Sequence, residues 1–420
     1  MDNNSKKKIN TNLTIVGGGI TGCTLALLAK KKSYNNIKIL EISKRLGGVL
    51  KDLQFGNEIF YNGCQYLDTS SDWFKNLKNR KLFGNQFKFF NCKYGSLTDF
   101  ENKEIYSRNY PEPIFEKKFK NISLKNKNLI TLQDRLDCYP KSIQSNLKKW
   151  VIKFGINTKE ISAISAENGL MISRIFLKKH LIELKKYKIK NELADNLYGI
   201  PKTNLKLKNL KVAVPKKGYN VFFEKLKKEL ISQNIELQFS SSIKPYYNKK
   251  KFFIKNFDKL IDAEKIIWST NPTNLIKSSK IGNLESKFIF VRMFCINLNI
   301  NLKENFYINV FSHKLNIFRM YCYNINGKSK ITIECFKEQK DLNSIYKKIN
   351  KIFLKFNINL KLIKNQKFYT VLQKRYFLTS VNDRKTLDNF YAKTKKSNII
   401  NGAWEIYHRE KKINKINSFL

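Results

Sequence analysis

Acid is what this chain most lacks: 33 aspartates and glutamates stand against 81 lysines and arginines, a formal charge of +48 over 420 residues. That excludes an acidic, solvating tail as the main character of the protein. Cysteine and histidine are also few. The seven cysteines (23, 64, 92, 138, 295, 322 and 335) form no C-x-x-C pair, and His180, His313 and His408 stand far apart with no H-E-x-x-H pattern. A disulfide framework, a structural zinc and any other metal centre are therefore not expected. No apolar run reaches the roughly 18 residues of a membrane-spanning helix. Met1–Asn12 is polar and no apolar signal region follows it, so the expected location is cytoplasmic.

What the chain has is enough apolar matter for a core: 42% hydrophobic and 13% aromatic residues exclude wholesale disorder. Only ten of the 81 basic residues are arginine, and the lysines occur as short pairs along the whole chain, such as Lys148-Lys149 and Lys395-Lys396. Asn, Ile, Phe and Tyr are swollen alongside lysine, as AT-rich coding produces. The charge reads as a solvated lysine surface rather than a nucleic-acid face, and no nucleic-acid partner is expected. Its field favours the arrival of anionic small molecules.

Glycine is scarce, and eight of its 17 occurrences (17, 18, 19, 22, 47, 48, 56 and 63) lie in the first 63 residues. Glycine clusters mark positive φ angles or close backbone approach. Leu13-Thr14-Ile15-Val16 reads as a buried strand, Ile20 to Lys32 as a helix with small residues on one side, and Ile37 to Glu41 as a second strand. The order is strand, G-x-G-x-x-G (Gly17, Gly19, Gly22), helix, strand, acid, with Glu41 nineteen residues past the last glycine. In that context Gly17 allows the tight turn, Gly19 admits a pyrophosphate against the backbone, and Gly22 lets the helix pack on the sheet. The helix start, with Ile20 and Thr21, offers free N–H donors. Glu41 is placed to accept both ribose hydroxyls and disfavours a 2′-phosphate. Arg45, an arginine in a lysine chain, suits a diphosphate, and Gly47-Gly48 lets a loop lie flat against a cofactor.

These residues resemble the FAD-binding superfamily of flavin amine oxidases, protoporphyrinogen oxidases and UDP-galactopyranose mutases. The likeness is carried by Ile15 to Gly22, Glu41 and Arg45-Leu46-Gly47-Gly48. Three later segments agree in order. Val214-Pro215-Lys216-Lys217-Gly218 precedes a helix (Val221 to Ser232) and a strand (Ile235 to Ser240), a unit whose end near Ile243 the resemblance places beside the adenine. Asp262 to Pro272 resembles the strand and proline turn returning to the dinucleotide domain. Ser397 to Glu405, including Gly402 and Trp404, resembles the terminal segment at the flavin ribityl chain. Where the family usually has an acid after that glycine, Ala403 stands here, leaving Glu405 or the Gly402 backbone as substitutes.

The resemblance implies an α/β fold: a Rossmann-like (GR2-type) FAD-binding domain, discontinuous over 1–75, 210–275 and 375–420. An α+β substrate domain with an antiparallel sheet would fill 76–209 and 276–374. Phe288–Ile300, Phe306–Phe311, Phe318–Tyr323 and Lys330–Phe336, with the turn Asn326-Gly327, are its expected strands, and Phe176–Leu193 reads as helix. Tyr94 to Asp99 is open between a pocket-lining turn and a plain loop. The implied cofactor is non-covalent FAD, and the implied activity is an amine-oxidase-like two-electron oxidation of a small substrate, an anionic one among the candidates. A mutase-like flavin-dependent isomerase acting on a sugar nucleotide in surface polysaccharide synthesis is the alternative, although the histidine of mutases is missing at Gly63-Cys64-Gln65-Tyr66. A basic nucleic-acid-binding protein on a Rossmann scaffold ranks third. Candidate substrate contacts are Cys64 and Gln65, by the family's placement of that loop beside the isoalloxazine, and Arg174, Arg292, Arg319 and Arg375, as donors to an anion.

Overall fold

The computed structural model describes residues 11–63, 65–69, 71–78, 83, 85–91, 93–99, 105–107, 114–115, 129–165, 176–177, 186, 188–198, 211–285, 287–406 and 409–420. The apolar run Leu13–Val16 forms the central strand of a five-stranded sheet, every residue buried. It pairs in parallel with Ile37–Leu40 on one side and Lys265–Trp268 on the other. Ile235–Gln238 and Ile399–Ile400 complete the sheet, also in parallel. Such strands are covered on both faces, which is why they read as continuous apolar runs. The helix Ile20–Lys31 buries Gly22, Cys23, Ala26 and Ala29. The chain proceeds outward from Leu13–Val16 through Ile37–Leu40 to Ile235–Gln238, then returns to the other flank with Lys265–Trp268. That reversal is the topological switch point where open α/β sheets form a crevice.

The helix expected from Val221 begins at Tyr219 and ends at Ser232. Its start is fixed from far away: the Asp52 carboxylate accepts the Tyr219 and Asn220 N–H groups at 3.0 and 2.8 Å. Gly218, at φ +88°, has no room for a Cβ beside that carboxylate. Burial, the dominant effect, holds the Asp52 pKa above the ordinary aspartate value, with the two N–H bonds and Arg45 opposing it.

A second sheet has seven strands in the order Tyr369–Leu378, Lys287–Asn297, Lys328–Phe336, Ile317–Ile325, Phe306–Phe311, Lys93–Thr98 and Ile105–Ser107. All four expected strands are present, and Asn326-Gly327, both at positive φ, makes the hairpin turn. Pairing is antiparallel except between Phe306–Phe311 and Lys93–Thr98, which run parallel. Tyr94 to Thr98 is therefore a strand rather than a turn. Phe176-Leu177 is also extended, paired with Ile114-Phe115, which corrects the helix expected to start there. Within the rest of the expected Phe176–Leu193 helix the described residues 186, 188–190 and 192–193 are helical, and the helix Glu192–Leu197 is capped by Asn191 Oδ1 on Ala194 N–H at 2.9 Å. One face of this sheet packs on the helix Lys141–Ile152 through Leu147, Trp150 and Val151. The other packs on Tyr346–Lys355 through Ile349, Ile352 and Phe353. Among the described residues no helix is long and apolar enough to cross a membrane.

Candidate functional site

The glycine-rich turn sits at the carboxyl end of the central strand, and distant segments close on it. Gly47 N–H donates to Gly18 O at 3.0 Å, and Gly47 bridges Gly19. Ser269 Oγ donates to Val16 O at 2.9 Å, and Trp404 Nε1 donates to Thr270 O at 2.8 Å. Turns after three parallel strands (Leu13–Val16, Lys265–Trp268 and Ile399–Ile400) and the loop after a fourth thus meet at one edge.

The three motif glycines differ in what surrounds them. Gly17 has φ +112°, and a Cβ there would strike Thr270 and Ser269. Gly22 sits against the Gly17 carbonyl with no space for any side chain. Gly19 is different: its Cβ would meet nothing nearer than Gly48 Cα at 4.0 Å. Beside that open space the helix Ile20–Lys31 starts with no side-chain cap and no acid in its first turn, so its leading amides, Ile20 and Thr21 among them, keep a partial positive charge. This cradle fits a dinucleotide pyrophosphate.

Glu41, 6% exposed, accepts from Gly18 N–H at 2.6 Å and from Ser43 N–H at 2.8 Å. Two backbone donors fix its carboxylate at the end of the second strand, with further acceptor capacity on both oxygens. Arg45 is exposed at this edge, between Glu41 and the Gly47-Gly48 bend. Two apolar side chains of the same loop, Ile42 at 73% and Val49 at 68%, are exposed. Ile243 begins a small three-stranded antiparallel sheet and packs on the cluster containing Val16 and Trp268.

In the terminal segment Gly402 lies against the Trp268 carbonyl, where a Cβ would clash. Ala403 is fully buried at φ +44°, a left-handed conformation unusual for alanine. The Trp404 ring stacks on Tyr391 at 5.8 Å. Glu405 accepts from Tyr391 Oη and pairs with Lys415 at 3.6 Å. The substitution of Glu405 for the family acid thus meets a carboxylate already engaged in a latch, while Gly402 and Ala403 remain at the edge.

On the seven-stranded sheet the structure brings two of the four candidate arginines together. Arg319, 6% exposed, chelates Glu334 Oε2 through Nε (2.9 Å) and Nη2, and its Nη1 reaches Tyr307 Oη at 3.4 Å. Arg375 Nη1 donates to Asn62 O at 2.8 Å, and its Nη2 lies 3.8 Å from Glu334 Oε1. At Gly63, with φ +82°, a Cβ would strike both Glu334 and Arg375. Arg292 projects from the opposite face, since it pairs with Cys335 while Met293 pairs with Glu334, and its Nε donates to Lys337 O at 3.3 Å. Gln65 is buried, its Nε2 donating to Val49 O at 2.6 Å. Cys64 and Arg174 lie outside the described residues. Burial pushes the thiols of Cys295 and Cys322 up to about 12, and that of Cys23 higher still, so these are packing groups rather than nucleophiles.

Asp52 and Glu334 were not singled out by sequence reasoning, whereas Ser269-Thr270 lies in the Asp262 to Pro272 strand and proline turn that was. For Asp52 and Glu334 no signal existed, because their partners lie 167 residues and across strands away.

The fold is of the Rossmann-like dinucleotide-binding class with a second, mixed sheet. Residues 15–80 match the family model of the NAD(P)-binding Rossmann-like domain. Among solved structures, reduced UDP-galactopyranose mutase superposes with TM-score 0.63 at 12% identity, covering 98% of this chain and 95% of that one. An Exiguobacterium sp. 255-15 protein assigned as a protoporphyrinogen oxidase gives 0.60 at 10%, covering 98% of each chain. A cofactor-site variant of putrescine oxidase gives 0.57 at 10%, again with 98% of each. No curated protein matches by sequence. At these identities the likeness is one of fold.

Proposed function

We propose that this protein is an FAD-dependent oxidoreductase that oxidises a small substrate by two electrons, with non-covalent cofactor. The observation that carries the proposal is the open space at Gly19, facing an uncapped helix start and flanked by Gly48, Glu41 and Arg45. Gly17, Gly19, Ile20, Thr21 and Gly22 would hold the pyrophosphate with their backbone, Arg45 would add a cationic fork, and Glu41 would take the ribose hydroxyls. Exposed Ile42 and Val49 offer apolar surface to the adenine and flavin ends. Ile243, Gly402 and Trp404 would border the remainder of the cofactor. The flavin supplies the redox chemistry when bound; the chain orients it and excludes water. We assign 1–75, 210–275 and 375–420 to the cofactor domain and 76–209 and 276–374 to the substrate domain.

A mutase-like isomerisation of a sugar nucleotide is the second reading, favoured by the buried Arg319 and the part-buried Arg375. Purified protein should be yellow, absorbing near about 450 nm as the flavin class does. Anaerobic bleaching by a reducing substrate supports oxidation; turnover of a sugar nucleotide only after dithionite reduction supports isomerisation. Gly19→Val should fold, because its side chain enters free space, yet purify without flavin. Full flavin occupancy in that variant would refute the site.

A further inference from the structure

The three-stranded antiparallel sheet of Ile243–Asn248, Lys251–Asn256 and Lys259–Ile261 has two unlike faces. Strand alternation puts Ile243, Pro245, Tyr247, Phe252 and Ile254 on the inner one, where Phe252 and Ile254 are buried. The outer face bears Lys244, Tyr246, Lys251, Phe253, Lys255 and Leu260. Residues 243–261 hold six lysines, all exposed, and a single acid, Asp258, which pairs with Lys244 at 3.1 Å. Amid these cations Phe257 is 62% exposed and Leu260 57%.

Both turns of the sheet depart from what the backbone prefers. Lys249-Lys250 and Phe257-Asp258 each join two strands through two residues, and all four residues have positive φ. Such turns favour Asn-Gly, and a bulky side chain there is strained. At Asn326-Gly327 this chain uses the favoured pair. Asparagine is swollen alongside lysine and phenylalanine, so the coding bias that supplied them would equally have supplied it. Neither local stability nor composition accounts for a lysine pair and a protruding phenyl ring at these turns. Contact with something outside the chain accounts for both.

We propose that this sheet docks the protein on an anionic lipid surface, with its lysines at the headgroups and Phe257 and Leu260 entering the interface. The lysines select a polyanion by charge complementarity. The exposed apolar side chains among them select a polyanion with an apolar layer beneath it. Single-stranded nucleic acid, the other polyanion in question, needs open ring faces on which its bases stack. Here the Tyr246 and Phe253 rings are stacked on each other, 5.1 Å apart with planes at 13°, and the Lys255 ammonium stands over Tyr246 at 5.9 Å. The docking does not depend on the flavin reading.

The test is sedimentation of the whole chain with vesicles of phosphatidylcholine, alone or mixed equally with phosphatidylserine. It is run at about 150 mM salt, where diffuse attraction is screened within about 8 Å. Wild type should partition onto the mixed vesicles only. Phe257→Asn keeps the charge and suits the turn, so the thermal midpoint should hold or rise. Its partition coefficient should fall about fivefold or more, as the loss of one interfacial apolar side chain implies. Lys249→Asn with Lys250→Gly, which builds the favoured turn, should weaken partition about tenfold or more. Lys347→Gln with Lys348→Gln removes the same charge from exposed positions on the helix Tyr346–Lys355. That pair should change partition less than about twofold, because membrane attraction fades within a Debye length. Equal losses in the two lysine pairs, undiminished partition of Phe257→Asn, or equal partition of wild type onto both kinds of vesicle overturn the docking face. Failure of wild type to sediment with the mixed vesicles overturns it too. So does binding of single-stranded oligothymidylate that is tighter than vesicle binding and weakened by the same substitutions, since the face would then serve nucleic acid.

Discussion

The two sheets keep their functional candidates in opposite places. In the five-stranded sheet the strands are apolar filling, and the chemistry-bearing residues stand just beyond their carboxyl ends: Gly17, Gly19, Glu41, Ser269 and Gly402. In the seven-stranded sheet the candidates sit inside strands: Arg319 and Glu334 are cross-strand partners, and Arg375 stands at the bulge between Tyr376 and Lys374. A site in turns leaves the sheet intact when altered, whereas a site in strand interiors is also part of the packing. Stability and function should therefore separate in the first region and merge in the second.

The strongest way to break that contrast is Glu334→Ala. It leaves two buried guanidinium groups without their carboxylate and should cost about 3–5 kcal/mol, read as a drop in the denaturation midpoint. A loss under about 1 kcal/mol would mean that the cluster is solvated and that the two regions behave alike. Next comes Gly22→Ala, the exception within the turn: its Cβ has no space beside the Gly17 carbonyl, so overpacking of about 3 kcal/mol is expected. Setting it beside Gly19→Val, where space is open, sharpens the comparison within one motif.

The smallest effect concerns the hairpin Asp52–Tyr61, which is tied to the seven-stranded sheet through Glu58 and Lys330 at 2.6 Å. The Lys330 ammonium, first through its hydrogen bond, holds the Glu58 pKa below the ordinary glutamate value of 4.5. A carboxylate depressed in the folded state contributes stability above the unfolded pKa and loses it as pH falls through the folded value. Glu58→Gln should therefore lower the midpoint near neutral pH by less than about 1 kcal/mol. The difference from wild type should vanish as pH falls through the folded-state value. A difference that persists in acid would point to packing rather than charge.

Much of the first region could be read without coordinates. The spacing of Gly17, Gly19 and Gly22 between an apolar strand and a helix encodes a local geometry, and Asn326-Gly327 likewise announces its hairpin. Less was legible where neighbours are remote in sequence. Phe176-Leu177 looked helical by composition but pairs as a strand with Ile114-Phe115, and Tyr94–Thr98, open between a turn and a loop in sequence, is an inner strand paired in parallel with Phe306–Phe311. Arg292 and Arg319 looked alike as isolated arginines; only the strand register puts one on each face.

From sequence alone came the strand–glycine–helix–acid unit, the four-strand run of the seven-stranded sheet and the lysine-rich composition, because each depends on residues a few positions apart. Tertiary structure decided which glycine leaves space and which merely fits, how Asp52 starts a helix 167 residues away, and which arginines share a carboxylate. These depend on contacts between remote segments, whose geometry is set by packing and strand register rather than by any local pattern.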